Sequence, residues 1–587
     1  MNAVYVLILS LLGIAVGYGV YAKSIDRKII QPDNSKATPA TMYMDGVDFT
    51  PANRNVLFGY QFKSVAALGP IVGPIVAVRW GWLPALLWVI FGTFFIGWVQ
   101  DYASIVLGVR EEGQSFGALS YRLVSPRARG ILLIFIYAYL LLIMGAFGKI
   151  VGYDLMTNGA TPFGVLAAIV AGLLAGQMTY KMKQDIILTT VVTVLIAFVG
   201  IFLAKQTFIA DIFAAINGTK DGAAPAIVFG DVTWPQLLWS LVTLLLCAFG
   251  AILPIWRWAQ PINYVSFWIV FLGIVGGTIG IIVWHPSIST ADFPAFTTWN
   301  GTLEGASGSL PAFGPLWPLL FVTIACGAIS GWHSLVSSSG TARQLEKEGD
   351  ALFVGGGSMF LEMFVATLAL LTAVVGVGAD RYIALVGAGA NAGVFANGLA
   401  TFLSKIGLPT DYGLPYSMVF LTLMALTIMY LVVRFMRVAS AEFLGDRIPA
   451  LKNTIIGTVV ALVLSAVLIW TGFWAHIWIL FGGANQLMAA LALLLVSLWL
   501  MSKGKSYLWA FVPFVFMFIT TIAALAHTAY VVIDKALNAE GLSATAVFGS
   551  WLAGVIAIVL IVCALVLAYD SLQAIQKYRA ELAAKAG

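Results

Sequence analysis

Long apolar runs, separated by short polar stretches, recur along the whole chain. A helix that crosses a bilayer needs about 20 mostly apolar residues. Fifteen runs have this character: 3–22, 58–78, 83–107, 131–150, 162–180, 186–204, 236–256, 264–284, 317–339, 355–378, 413–433, 453–472, 476–500, 507–530 and 548–569. The pattern therefore predicts an all-α polytopic membrane protein with about fifteen transmembrane helices.

Composition supports the same class and excludes several others. Of the 587 residues, 61% are hydrophobic and 10% are charged, whereas a soluble domain carries about 25% charged residues. A single soluble domain, a disordered chain and a nucleic-acid-binding protein are therefore excluded. The three cysteines and four histidines form no short-range cluster, so we expect no metal site and no cofactor. The absence of a GxxxxGK[ST] phosphate loop argues against an ATP-driven pump.

Basic residues indicate the orientation, because cytoplasmic loops of membrane proteins are enriched in Lys and Arg. With the N-terminus outside, 23 of the 31 Lys and Arg residues are cytoplasmic, 7 are external and Lys63 lies within a span. The split predicts an external N-terminus and a cytoplasmic C-terminus. A sixteenth span at 383–404 would move four basic residues outside, so we expect 380–412 to be an external loop that at most re-enters the membrane.

Two of the predicted spans contain helix-breaking residues near their middle. Gly69-Pro70 and Gly73-Pro74 interrupt the second span, because proline removes a backbone donor and clashes with the preceding turn. Gly327 and Gly331 interrupt the ninth span, beside a run of serines. In the predicted orientation the two spans cross in opposite directions, which is typical of an inverted-repeat transporter with its substrate site at the midplane. The alternative is a pair of kinks that neighbouring helices satisfy.

An inverted repeat of this kind predicts how the chain is organised. We expect an inverted-repeat, leucine-transporter-like core with extra peripheral helices. The regions are 1–57 with the first span and a cytoplasmic loop, 58–204 with the first repeat, 205–316 with two inserted spans and outer loops, 317–500 with the second repeat, and 501–587 with two final spans and a cytoplasmic tail.

Only two acidic residues, Asp101 and Glu362, lie well inside predicted spans. An ionised carboxylate there is costly, so such residues are commonly functional. We expect either of them to bind and release the coupling proton; the alternative is a structural carboxylate that caps a broken helix or pairs with Lys63. His333 is the next candidate for proton transfer, and Lys63 is expected to extend towards the inner surface.

The substrate site is expected between the two broken helices, where half-helix N-termini offer amides to an anion. The predicted substrate-binding residues are Ala67, Gly69, Pro70, Gly73, Gly327, Ser330, Gly331, His333, Ser334 and Gln486. Asn485 and Gln486 lie mid-span after two glycines, where hydrogen bonding between helices is the alternative role.

Four segments of the chain resemble a known family. FGYQFKSVAALGPIVGPIVAVRWGWLPALLWV (58–89), VQDY (99–102), CGAISGWHSLVSSSGTA (326–342) and FGGANQLMAALAL (481–493) are similar to hallmark segments of the carbon starvation protein A family. The resemblance implies a bacterial inner-membrane transporter of the amino acid–polyamine–organocation superfamily type. It also implies uptake of peptides, or of pyruvate with protons, during nutrient limitation.

The leading hypothesis is thus a proton-coupled importer of a small carboxylate or short peptide, with the lipid bilayer as its other partner. One alternative uses sodium, bound by carbonyls of 69–74 and by hydroxyls such as those of Thr422 or Thr427. Another is an intramembrane hydrolase with His333 and a neighbouring serine, which no GxSxG or HExxH motif supports. The last is a membrane sensor that moves no substrate.

Overall fold

The computed structural model describes residues 1–305, 308–538, 541 and 543–586, and within these ranges the chain is almost entirely helical. The first half contains α1 (Ala3–Ile30), α2 (Arg54–Val65), α3 (Gly69–Trp80), α4 (Trp82–Arg110), α5 (Pro126–Leu155), α6 (Thr161–Lys181), α7 (Ile186–Leu203), α8 (Trp234–Ile252) and α9 (Ala259–Trp284). The second half contains α10 (Leu316–Thr323), α11 (Ala325–Ala328), α12 (Gly331–Val336), α13 (Glu348–Gly376), α14 (Ala379–Gly387), α15 (Asn391–Ser404), α16 (Thr410–Leu444), α17 (Thr454–Trp470), α18 (Trp474–Ser502), α19 (Leu508–Leu537) and α20 (Ala544–Ala586).

Shorter elements connect these helices. Pro39–Met42, Phe116–Leu123 and Thr207–Asn217 are short helices. Two antiparallel hairpins, β1 (Ile227–Phe229) with β2 (Val232–Thr233) and β3 (Leu303–Gly305) with β4 (Gly308–Leu310), lie within 205–316, outside its two predicted spans.

The predicted all-α polytopic class is confirmed. In the described part of the chain, 12 helices are long and apolar enough to cross a membrane, or 13 when the bent pair α2 and α3 counts as one span. The other two of the fifteen predicted spans are α17, an apolar helix of 17 residues, and the segment that forms α10, α11 and α12. The protein is therefore a multi-pass membrane protein.

The first broken helix breaks once rather than twice. The chain leaves helical geometry at Ala66, and α2 and α3 are bent by 48° relative to each other. Pro70 lies in the first turn of α3. Backbone N–H groups in the first turn of a helix have no intrahelical acceptor, so a proline without an N–H costs no hydrogen bond there. Pro74 remains inside α3, so the second Gly-Pro step does not interrupt the helix as the sequence predicted.

The second broken helix breaks at two places. Ile324 separates α10 from α11, and the extended residues Ile329 and Ser330 separate α11 from α12. Beyond α12 the helix continues as a π-helical turn, Ser337–Thr341. Both interruptions lie among buried residues, as expected for irregular backbone that must not face lipid.

The core and the periphery differ in burial. The most apolar stretches of α13, α16 and α18 are largely buried, whereas in those of α1, α7 and α20 only about a third of the residues or fewer are buried. The exposed side chains on these three helices are largely aliphatic or aromatic, which suits a lipid-facing surface.

The segment 380–412 folds into α14 and α15 instead of an irregular loop. The 14 residues of α15 extend over about 21 Å, less than the hydrocarbon core of about 30 Å. Its buried face packs against α9 and α16, and the Tyr382 hydroxyl of α14 donates to the carbonyl of Ile75 at 2.8 Å. The external placement of this segment and the orientation of the termini stay predictions.

Candidate functional site

The two broken helices lie side by side and antiparallel at the centre of the molecule. Their contacts run in opposite order along the chain: the Trp332 indole donates to the carbonyl of Ser64 at 2.6 Å, whereas Gly69, later in the chain, meets Cys326, earlier in the chain. A Cβ atom on Gly69 would lie 2.3 Å from the Cys326 Sγ. A side chain at position 69 would therefore collide with the Cys326 side chain, so glycine permits this close approach of the two helices.

Asn485 of α18 caps the N-terminus of α12. Its Oδ1 accepts hydrogen bonds from the backbone amides of Gly331 at 2.9 Å and Trp332 at 3.3 Å. The same oxygen accepts from the hydroxyls of Tyr139 at 2.7 Å and Ser330 at 3.2 Å. The first amides of a helix need such an external acceptor. The sequence predicted that these amides receive the substrate, but in the structure a side chain of the protein occupies them.

Asp101, His333 and Glu362 form a continuous chain of three titratable side chains, each fully buried. The His333 Nδ1 lies 3.1 and 3.0 Å from the two carboxylate oxygens of Asp101. Its Nε2 lies 3.2 Å from the Glu362 Oε2, within ion-pair distance but without hydrogen-bond geometry. Helix α4 contributes Asp101, α12 contributes His333 and α13 contributes Glu362. The arrangement can therefore hold a proton that is shared among three helices.

Gln100, which precedes Asp101 in the sequence, holds the group of Asp101, His333 and Glu362 in position. Its side-chain amide donates to the carbonyl of Ser330 and, at 2.5 Å, to the hydroxyl of Ser334. These two contacts tie α4 to the break before α12. They orient the backbone on which His333 is carried, so the geometry of the histidine depends on Gln100.

His333 is not arranged as a base for a serine nucleophile. Both of its ring nitrogens face carboxylates, Nδ1 towards Asp101 and Nε2 towards Glu362. A serine protease-like pair would require one ring nitrogen to bind the nucleophilic hydroxyl. The hydrolase alternative therefore has no geometric support.

A cavity of about 450 Å³ lies on the other side of the contact between the broken helices. Its lining comes mainly from α3, α10, α11, α18 and α19, with further residues from α5 and α15, and is mostly apolar. The polar side chains in the lining are those of Thr323, Cys326, Asn391, His527 and Thr528. Among the described residues that line it, none is Asp, Glu, Lys or Arg. The cavity suits a largely apolar molecule with few polar groups.

The predicted substrate residues divide between the cavity and the packing behind it. Gly69 and Gly73 line the cavity, whereas Ser330, Gly331, His333, Ser334 and Gln486 are not among its lining residues. Ala67, Pro70 and Gly327 lie at the breaks, and a Cβ atom on Gly327 would lie 2.8 Å from the Cβ of Ala366. The substrate role of each of these residues stays a prediction.

Several residues of the site were not predicted from the sequence. The sequence does not single out Gln100, Tyr139 or Cys326, and for Asn485 it leaves both helix contacts and a substrate role open. Each is a polar or polarizable residue within an apolar run, the signal that marks a membrane residue as functional or as a hydrogen-bonding partner.

The sequence matches a known family over most of its length. The model of the family described as carbon starvation protein CstA matches residues 2–393 and 379–524. Together the two ranges include the main residues of the site. Asp101, His333 and Glu362 lie in the first range, and Asn485 lies in the second.

Three curated relatives align with most of the chain. The peptide transporter CstA of Escherichia coli (strain K12) is 29% identical over 591 residues, which cover 89% of this chain and 81% of the relative. The peptide transporter CstA of Bacillus subtilis (strain 168) is 29% identical over 573 residues and 89% of each chain. The pyruvate/proton symporter BtsT of Escherichia coli (strain K12) is 28% identical over 613 residues, covering 89% of this chain and 81% of the relative.

Solved transporter structures also align over most of the chain. The crystal structure of MhsT in complex with L-phenylalanine covers 89% of this chain and 99% of that chain, at 11% identity and a TM-score of 0.46. The manganese transporter of Eremococcus coleocola covers 91% of this chain and 99% of that chain, at 14% identity and a TM-score of 0.42.

Proposed function

Because the chain belongs to the carbon starvation protein CstA family, we propose that it imports short peptides, or small carboxylates, together with protons. The protein is a membrane transporter and not an enzyme. We place it in the bacterial inner membrane, as the resemblance implies. The proposal concerns its coupling ion, its substrate and the residues that carry each.

The observation that supports proton coupling is the buried group of Asp101, His333 and Glu362. With His333 protonated and both carboxylates ionised, the three side chains carry one net negative charge. One further proton makes the group neutral. A net charge in a low-dielectric interior is costly, so the helices that carry this group move more readily after the proton has bound.

This group is connected to the broken helices and therefore to the substrate cavity. His333 lies on α12, whose first amides are capped by Asn485, and the Asn485 side-chain amide also donates to Cys326 at 3.1 Å. Cys326 lines the cavity. A rearrangement of α12 on proton binding would therefore change the contacts of the cavity wall, which provides a physical route for coupling.

The cavity favours a short peptide as the first substrate to test. Its volume of about 450 Å³ lies within the range of about 300–1,000 Å³ that is usual for drug-sized ligands, which suits a dipeptide better than a three-carbon acid. Its mostly apolar lining offers the apolar side chains of a short peptide a favourable environment. The printed names of the relatives, a peptide transporter and a pyruvate/proton symporter, make pyruvate the second substrate.

Uptake into proteoliposomes tests the proposal directly. The wild-type protein is expected to accumulate labelled dileucine, or pyruvate, only when the outside is more acidic than the lumen. Asp101→Asn and Glu362→Gln are expected to abolish this uphill accumulation while exchange across the membrane persists in part, because a neutral side chain resembles the protonated carrier. Asp570→Asn is the matched control, since Asp570 pairs with Arg127 far from the site and its change should leave accumulation intact.

Two outcomes would contradict the proposal. Normal pH-driven accumulation by both Asp101→Asn and Glu362→Gln would remove the group from the proton path. Accumulation driven by a sodium gradient in the absence of a pH gradient would favour the sodium alternative instead.

A further inference from the structure

A pocket of about 530 Å³ lies between the start of α5 and the end of α20. Residues 122–127 form one wall, and α20 forms the other with Asp570, Gln573, Ala574, Lys577 and Tyr578. Two hydrogen bonds join the walls: the Tyr578 hydroxyl donates to the carbonyl of Leu123 at 3.3 Å, and the Ser125 hydroxyl donates to Asp570 at 2.8 Å. The substrate cavity shares none of these residues, so the pocket is a separate site.

Both walls lie where a helix with an exposed apolar surface becomes charged. On α20 the large exposed side chains of 555–569 are aliphatic up to Tyr569, and Lys577 follows within three turns. On α5 the order is reversed, because Arg127 precedes the apolar run that exposes Ile134. Tyr121, beside the pocket, is also exposed, and tyrosines are enriched at the boundary between membrane and water. The pocket therefore lies at the level of the lipid headgroups, on the side that the sequence predicts to be cytoplasmic.

Basic side chains dominate the surface of this pocket. Arg122, Arg127 and Lys577 line it, and Asp570 is the one acidic lining residue in the described part of the chain. The Asp570 carboxylate accepts from Ser125 and from the Arg127 guanidinium, and its side chain is only 5% exposed. Its charge is thus directed into the protein, whereas the Arg127 side chain is 59% exposed and keeps N–H groups free for a ligand.

The carboxylates nearby do not neutralise the basic residues. Arg122 pairs with Glu111, but the same carboxylate also lies 3.6 Å from the Lys503 ammonium. Lys577 is exposed, and no ion pair joins it to a carboxylate of the described residues. Four cations therefore face two carboxylates around the pocket. The surplus of positive charge favours an anionic ligand.

We propose that this pocket binds the headgroup of an anionic phospholipid. Arg127, Arg122 and Lys577 would surround the phosphate, since guanidinium groups donate paired hydrogen bonds to phosphate oxygens. The acyl chains would lie along the exposed apolar surface of α20, which continues from the pocket into the membrane. Basic pockets between transmembrane helices on the cytoplasmic side recognise headgroups in this way. A soluble phosphate has the same headgroup chemistry, but it would make no use of the adjoining apolar surface.

Native mass spectrometry of the full-length protein tests this assignment. The protein is released from mixed micelles that contain equal amounts of phosphatidylglycerol and phosphatidylcholine, and the lipids that stay bound are identified. We expect the wild-type protein to retain phosphatidylglycerol preferentially. Lys577→Gln removes one charge beside the headgroup and should weaken phosphatidylglycerol binding about fivefold. Lys577→Arg keeps the charge and should bind like the wild type.

Two further variants separate a specific site from a general effect of charge. Lys183→Gln is the matched control, because Lys183 is exposed between α6 and α7 on the same predicted side. It should bind phosphatidylglycerol like the wild type. Arg122→Gln is a second change within the pocket, in which Glu111 keeps Lys503 as its partner, and it should also weaken binding about fivefold. Unchanged melting temperatures verify that the variants are folded.

Three results would overturn the assignment. Wild-type binding by both Lys577→Gln and Arg122→Gln would exclude the pocket. An equal loss in Lys183→Gln would show a general response to charge instead of a site. Displacement of phosphatidylglycerol by millimolar glycerol 3-phosphate or inorganic phosphate would indicate a site for a soluble anion. Because the measurement uses neither substrate nor a proton gradient, its failure is distinguishable from a failure of proton-coupled uptake.

Discussion

Asn485 and Gln486 are adjacent, buried amide side chains with opposite expected contributions to stability. Both are 0% exposed. Asn485 Oδ1 accepts four hydrogen bonds, two of them from the first amides of α12. Neither the Oε1 nor the Nε2 of Gln486 has a hydrogen-bond partner among the described residues. We therefore compare Asn485→Leu with Gln486→Met, each close in shape to the residue that it replaces.

The contacts of Asn485 determine how much stability the Asn485→Leu variant is expected to lose. Hydrogen bonds between membrane helices average about 0.6 kcal/mol each, and a buried donor left without an acceptor costs about 1–3 kcal/mol. An apolar side chain at position 485 cannot accept hydrogen bonds from the amides of Gly331 and Trp332, and these backbone groups cannot turn away. The Tyr139 and Ser330 hydroxyls, by contrast, can rotate. We expect Asn485→Leu to lower the free energy of unfolding by about 2–4 kcal/mol. Gln486→Met removes a buried amide without partners, so stability should stay the same or rise.

Reversible unfolding in mixed micelles measures both variants, and proteoliposome uptake shows whether function follows stability. Asn485→Leu should lose uptake as well as stability, because α12 carries His333. If Gln486 binds substrate, as the sequence predicts, Gln486→Met should raise the apparent KM while the protein remains stable. Equal stabilities of the two variants would refute the assignment of Asn485 as the cap of α12.

Two further predictions follow from contacts elsewhere in the core. Gly331→Ala should fail to fold normally, because its Cβ would lie 2.4 Å from a backbone oxygen of α18, whereas Gly19→Ala meets no atom within 4 Å and should express like the wild type. Arg434→Met should lower the free energy of unfolding by about 1.5–3 kcal/mol, since the largely buried guanidinium pairs with the partly exposed Asp48; an unchanged denaturation midpoint would contradict this.

The sequence alone determined the class of the protein and the position of its special helices. Apolar runs of about 20 residues are required by the thickness of the bilayer, so the polytopic helical class follows from composition and length. The break before Pro70 was predictable because proline has no amide hydrogen. Asp101 and Glu362 were recognisable for a similar reason, since a carboxylate within an apolar run is costly wherever the helix is finally packed.

Only the tertiary structure decided which of these residues meet. His333 is separated from Asp101 by 232 residues, and Gly331 is separated from Asn485 by 154 residues in the chain, and no local pattern encodes such contacts. Asn485 and Gln486 are alike in sequence character, yet Asn485 faces the end of α12, whereas Gln486 has no hydrogen-bond partner within the described part of the chain. Likewise, the sequence predicts that Lys63 extends towards the inner surface, but packing against α16 buries its side chain beside the Leu423 carbonyl. The direction of a side chain on a buried helix is set by the helices around it, because every face of such a helix is similarly apolar.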